Sequence, residues 1–231
     1  MSERNERLRL SENYKKYGAI FRDIIERIPV EYPRKRRILP RPSPFEIYEK
    51  NCVELYKKWG RAQRISNIIR GLKTEVNYPS DDYKSMSKLF AYLGLVESLG
   101  VTLVDMALIL LIASGKHVHT RGPFTKHVTS LNELEKISLS EKLELLKDEG
   151  LDIFEFIDET RRNQIAHLKL TIQNDGEIKD EGNNTIHIDD DISKFWDGVD
   201  IIKLVLEDLR FLQSLETLSS IVGAERGNDY E

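Results

Sequence analysis

Val101-Thr102-Leu103-Val104-Asp105-Met106-Ala107-Leu108-Ile109-Leu110-Leu111-Ile112-Ala113 is the most apolar run in the chain. Apolar residues fall on nearly every face of such a helix, so it wants neighbours all round. In a domain this small, that pattern points to a dimer interface. A membrane span needs about 20 apolar residues. This run is shorter and contains Asp105, so it reads as a buried helix. Upstream the same helix extends to Asp82, with Gly94 and Gly100 as kink points and Gly115 as its stop. If continuous, the whole helix spans about 50 Å at 1.5 Å per residue.

C-terminal to this helix comes a polar loop, Lys116 to Thr129, that carries His117, His119 and His127. Imidazoles two residues apart can share a metal's ligand shell. No carboxylate or cysteine completes the set nearby, so solvated loop histidines are the simpler reading, and no metal site is expected. Ser130 with Glu133 and Ser138 with Glu141 have capping-box spacing and open short helices that end at Gly150. Asp152 with Glu155 caps a further helix running to about Ala166. Leu168–Ile172 and Thr185–Ile188 alternate between turn-rich segments and read as a small β-hairpin. A last long helix is expected from Ile192 to about Val222, through Phe195, Trp196, Val199, Ile202, Leu206, Leu209, Leu212, Leu215 and Leu218.

On the N-terminal side, the turn Asn77-Tyr78-Pro79-Ser80 marks the expected domain boundary. Before it, Ser11 to Ile28 places Tyr14, Tyr17, Ile20, Phe21, Ile24, Ile25 and Ile28 at helical spacing. Five of the seven prolines then lie between Pro29 and Pro44, interleaved with Arg34, Lys35, Arg36, Arg37 and Arg41. That stretch cannot be helical and should be an extended arm. Helical periodicity resumes from Phe45 to about Lys73, with Gly60 a possible break. The fold class is therefore all-α. A helical bundle with one small β-hairpin occupies 78–231, and a basic helical extension with a Pro-rich arm (29–44) occupies 1–77.

The 231 residues carry 35 Lys+Arg and 39 Asp+Glu, a net charge of -4. The charges are unevenly placed. Residues 1–77 hold 19 Lys+Arg against 10 Asp+Glu, whereas 78–231 hold 16 against 29. A basic segment on an acidic body can hold a polyanion or dock on an acidic surface. Tyr14, Tyr17, Phe21, Tyr32, Tyr48, Tyr56 and Trp59 lie among these cations, a mixture that suits single-stranded RNA. Helix core is the preferred reading for the aromatics. The single Cys52 excludes an intrachain disulfide framework and reads as a small buried hydrophobe. Met1 to Arg7 lacks the apolar core of a signal peptide, so the expected location is the cytoplasm, with no membrane partner.

The sharpest local motif is Glu159-Thr160-Arg161-Arg162-Asn163-Gln164-Ile165-Ala166-His167, where a helix gives way to the hairpin. At 100° per residue Asn163 and His167 share a face, while Arg162 lies about 140° round from His167. One regular helix does not focus the two on one point, but a two-fold pair of such helices could. Arginine can hold a phosphate bidentately and stabilise charge building on it. Histidine, with an ordinary pKa of about 6.5, can move protons at neutral pH. An ordinary helix end would also use these residues, with His167 on the helix dipole and Arg162 paired to Asp158. Asp105 and Glu97 on the long helix need partners; either could orient Arg162 or form a structural ion pair.

A long first helix, capped short helices and a helix closing on Arg162-Asn163-x-x-Ala166-His167 resemble the HEPN superfamily (higher eukaryotes and prokaryotes nucleotide-binding domain). The resemblance covers about residues 80–222. It implies a homodimer of helical bundles with a composite active site, and commonly a metal-independent endoribonuclease that needs no cofactor. Such enzymes serve as toxins and antiviral-defence effectors, often beside an antitoxin or regulatory partner. The resemblance puts catalysis on Arg162, Asn163 and His167. RNA contact is expected from Arg34, Lys35, Arg36, Arg37, Arg41 and Arg161. The alternatives are a non-catalytic module that binds a nucleotide, RNA or protein, and a plain helical scaffold.

Overall fold

A computed structural model describes residues 3–27, 44–75, 78–116, 118 and 128–208. The chain is mostly helical, with one two-stranded antiparallel sheet. Its helices are α1 (Glu3–Glu26), α2 (Pro44–Glu75), α3 (Asp81–Leu95), α4 (Val101–Ala113), α5 (Leu131–Leu134), α6 (Leu139–Asp148), α7 (Glu159–Ala166) and α8 (Ile188–Asp208). A π-helical turn, Val96–Gly100, joins α3 to α4, and a 3₁₀ turn covers Asp152–Phe156. The strands are β1 (Leu170–Ile172) and β2 (Ile178–Asp180). The arm from 28 to 43, His117, His119, His127 and the chain beyond Asp208 lie outside the described residues.

Two compact units interleave along the chain. The first comprises the described parts of Met1–Lys58, Leu103–Phe154 and Asp200–Glu231. Its core holds Tyr17, Phe21, Ile24, Cys52, Leu55 and the α4 residues from Leu103 to Ala113. The neighbours that the all-round apolar helix requires are supplied by the chain itself, since Thr102 to Ala113 are buried throughout. The burial of α4 therefore needs no second copy. Asp105, the charge in this run, is fully buried. Lys142 Nζ reaches one of its oxygens at 2.7 Å and Lys58 Nζ the other at 2.8 Å. Lys58 also pairs with Glu135 at 2.9 Å. Asn51 fixes the start of α5, accepting the Leu131 N–H at 2.8 Å. Tyr17 and Phe21 are core residues, and Cys52 is fully buried.

Asp81–Ala113 is long and apolar enough to cross a membrane by length and composition, but 83% of its most apolar window is buried inside the fold. This is how a core helix behaves. Pro44 opens α2, where its missing N–H costs nothing. The helix then runs unbroken through Gly60.

The second unit comprises Trp59–Thr102 and Glu155–Val199. Phe195 of α8 is its aromatic centre, packed edge-on to Phe156 at 5.2 Å and to Tyr92 at 6.3 Å between ring centroids. Phe156 lies against Gly198 so closely that a β-carbon there would sit 2.1 Å from the ring. The Arg70 guanidinium stacks on Trp196, 3.9 Å from the ring centroid, tying α2 to α8.

Three local expectations are corrected. The return strand of the hairpin is β2 rather than Thr185–Ile188: Leu170 pairs with Asp180, and Ile172 with Ile178. The turn at Asn174-Asp175-Gly176 is tight enough to send the chain straight back. Thr185 adds only an isolated bridge to Lys179 after a second turn, and Ile188 already belongs to α8. Asp152 does not cap the helix carrying the motif; it opens a 3₁₀ turn and binds Lys16 at 2.9 Å and the Tyr17 hydroxyl at 3.1 Å. The cap is Asp158, and α7 has only eight residues.

Candidate active site

Helix α7 forms because its N-terminus is doubly held. The Asp158 carboxylate accepts the Arg161 N–H at 2.8 Å, satisfying one of the helix's orphan donors. Tyr92 of α3 grips the same residue's backbone: its hydroxyl accepts the Asp158 N–H at 3.2 Å and donates to the Asp158 carbonyl at 3.4 Å. Burial pushes the Tyr92 hydroxyl well above its ordinary pKa, so it stays protonated for both contacts.

The C-terminus is closed by a Schellman motif around His167. The Lys169 N–H reaches the Gln164 carbonyl at 2.8 Å, and the Leu168 N–H reaches the Ile165 carbonyl at 3.1 Å. This geometry needs a left-handed residue after the cap, a place usually given to glycine. Here it is Leu168, at φ 53° and 77% exposed. A left-handed conformation costs a residue with a β-carbon roughly 1–2 kcal/mol. The strain sits directly beside His167.

Between these ends, Arg162 turns toward the π turn that joins α3 to α4. Its Nε and Nη2 both close on the Glu97 Oε1, and its Nη1 donates to Asn163 Oδ1 at 2.7 Å. Asn163 Nδ2 in turn reaches Glu159 at 3.4 Å. The π turn begins just after Gly94 and ends on Gly100, and its widened backbone puts Glu97 opposite α7. Within it the Ser98 hydroxyl donates to the Gly94 carbonyl at 2.5 Å and the Thr102 hydroxyl to the Ser98 carbonyl at 2.6 Å. Gly100 packs closely, since a β-carbon there would come within 3.2 Å of Ile157 and Phe195 and push those side chains by a few tenths of an ångström. Single π turns of this kind recur at functional sites.

No family model, curated protein or solved structure matches this chain. Of the two acidic residues considered as partners for Arg162, Glu97 takes that place, while Asp105 is held between lysines. Arg162 is not paired with the Asp158 side chain, which is occupied as the cap. Arg161 is spent on Asp191 of α8 at 2.9 Å and on Gln164 at 2.6 Å. It fastens α7 to α8. His167 is exposed, and its side chain makes no hydrogen bond among the described residues. Arg34, Lys35, Arg36, Arg37 and Arg41 lie outside those residues, as do the three loop histidines. No group of three or more metal-ligating side chains occurs among the described residues.

The arrangement offers a guanidinium fixed by a carboxylate and an amide, with an unengaged imidazole at the helix end. Sequence reasoning had no sight of the Tyr92 clamp or of the strained Leu168. An aromatic hydroxyl on an otherwise buried helix face is the only trace the first leaves.

Proposed function

We propose that this protein is a metal-independent endoribonuclease of the HEPN type, acting on single-stranded RNA in the cytoplasm as a homodimer. The observation that carries the reading is the Arg162–Asn163 pair, oriented by Glu97, with the unengaged His167 one turn further on. Arg162 and His167 diverge on one helix, so the working site combines groups from two copies.

The substrate's 2′-oxygen attacks the adjacent phosphorus, and the bond from phosphorus to the 5′-oxygen breaks. His167 of one or both copies takes the proton from the 2′-hydroxyl and returns one to the departing 5′-oxygen. Arg162 exchanges part of its contact with Glu97 for the phosphoryl oxygens, whose charge rises in the transition state. Asn163 keeps the guanidinium in plane. The products are a 2′,3′-cyclic phosphate and a 5′-hydroxyl, and DNA is inert because it lacks the nucleophile. A toxin or antiviral-defence role, with a restraining antitoxin or regulatory partner, follows from the same family resemblance.

One observation favours a second reading, a non-catalytic module that binds a nucleotide, RNA or protein: Glu97 already neutralises Arg162. The test is cleavage of labelled single-stranded RNA in EDTA by wild type, Arg162→Ala and His167→Ala. Cleavage that yields cyclic-phosphate ends and is lost in both variants supports the nuclease. Binding without cleavage, by a folded and dimeric protein, supports the module.

A further inference from the structure

The chain itself covers α4, yet the first half of the same long helix keeps an apolar face that nothing among the described residues covers. Tyr83, Met86 and Phe90 stand at i, i+3 and i+7 on α3 and are 63, 44 and 54% exposed. Beside them α3, the end of α7 and β1 enclose a mostly apolar groove, with the exposed Leu168 at its edge. Single exposed apolar residues are ordinary. A stripe of them beside a groove marks a surface that another apolar surface covers.

Two features name the occupant. The first is the charge on the rim. Asp81 and Lys84 are exposed, and neither makes an ion pair among the described residues. A face edged with both signs is complementary to itself under a two-fold, whereas a uniformly acidic or basic partner meets like charge on one side. The second feature is what lies at the borders. Glu97, which holds Arg162, follows Phe90 by seven residues and so continues the same face of the long helix. His167 directly precedes Leu168 at the edge of the groove. The two groups that one helix does not focus on a point therefore border one apolar face. A copy docked there brings its own Arg162 and His167 to the same seam.

We infer that the Tyr83–Met86–Phe90 face of α3, with the groove beside it, is where two copies of the chain meet and complete each other's site. The inference rests on the two-copy ribonuclease reading and supplies the surface that reading requires. Phe90 is the central anchor, a buried aromatic of the kind that dominates interface energetics. Leu168 stays at the rim, where side chains exclude water and add little to affinity. The seam then holds Arg162 and His167 of both copies.

The test needs no change to the protein at first. Met106 is fully buried and Met86 lies on the face, so peroxide oxidation of Met86, read by peptide mass spectrometry, reports whether the face is covered. Light scattering reports the oligomer. The expected result is a dimer at micromolar concentration whose Met86 oxidises several-fold more slowly than in protein diluted until it dissociates. Phe90→Asp should give monomers with native circular dichroism, raising the dissociation constant about thirtyfold or more. Cleavage of single-stranded RNA should fall with it, although Arg162, Asn163 and His167 are intact. Tyr83→Asp, at the most exposed of the three positions, should act in the same direction and covers the case in which Phe90→Asp does not fold. A dimer whose Met86 oxidises at the monomer's rate, or that persists in both variants, overturns this face and leaves the nuclease standing. Protected Met86 and monomeric variants, without cleavage by wild type, keep the face and overturn the nuclease. Monomeric variants that cleave as fast as wild type overturn the role of the second copy in the site. A monomeric wild type overturns the face and the two-copy nuclease together.

Discussion

Arg162 and Glu97 are 65 residues apart in sequence, yet two nitrogens of the one close on a single carboxylate oxygen of the other. Their side chains are 29% and 43% exposed, so water screens the pair and its contribution to stability is small. Its geometry matters more: a guanidinium on a short helix would otherwise sample many rotamers. Glu97→Gln should change the unfolding free energy by less than about 1 kcal/mol. In the proposed reaction it should lower kcat about tenfold, with KM nearly unchanged, because the lost interaction positions the arginine. Unchanged kcat in single-turnover measurements would remove Glu97 from the machinery.

Asp105 presents the opposite balance. It is fully buried, and Lys142, only 4% exposed, has it at 2.7 Å. Lys58 is less dependent on it, being 18% exposed and also bound to Glu135. Removing the carboxylate therefore strands Lys142 in the core. Asp105→Asn should cost about 3 kcal/mol or more, as breaking one side of a buried ion pair generally does. Replacing both partners, Asp105→Leu with Lys142→Met, should be less harmful than the single change. Urea unfolding of the three proteins settles it, and equal losses in single and double variants would refute the account.

What could be read in advance depended on how local the cause was. Gly94 precedes the π turn and Gly100 ends it, Ser130 with Glu133 forms its capping box, and Gly115 ends the long helix at φ 90°; each cause lies within five residues of its effect. The capping role of Asp158 was hidden by Asp152, an equally good cap by type, which a distant lysine and tyrosine claim instead. The neighbours of α4 were misattributed because an apolar helix does not say whether its own chain or a copy covers it. At the candidate site, Arg162, Asn163 and His167 were expected from the family resemblance rather than from spacing, which alone also fits an ordinary helix end. The choice between Glu97 and Asp105 could not be read, since it depends on which face the π turn presents.

The capping box also predicts a pH dependence. Burial raises the Glu133 pKa, but N–H and hydroxyl donors from Thr129 and Ser130 outweigh it and hold the carboxyl below its ordinary 4.5. A carboxylate depressed in the folded state contributes its full stability above the ordinary value and loses it as pH falls through the folded one. Glu133→Gln should therefore cost about 1 kcal/mol near neutrality. The gap to wild type should close as the medium is acidified below about pH 4.5. Thermal melts across that range test this; a gap constant down to acid would mean that the carboxylate's charge is irrelevant.

Leu168 offers the cleanest separation of stability from function. Its left-handed φ of 53° completes the helix end, and at 77% exposure the side chain has little packing to lose. Glycine adopts that conformation without strain, although it gives up some of the gain by freeing the unfolded chain. Leu168→Gly should thus stabilise the fold by about 0.5–1 kcal/mol in chemical denaturation. If the strain serves only the turn, nothing else changes. If it holds His167 in register, the more stable variant should cleave RNA several-fold more slowly, and Leu168→Asn, which also tolerates the left-handed region, should show the same split. A destabilised Leu168→Gly would instead mean that the exposed leucine packs against something more than water.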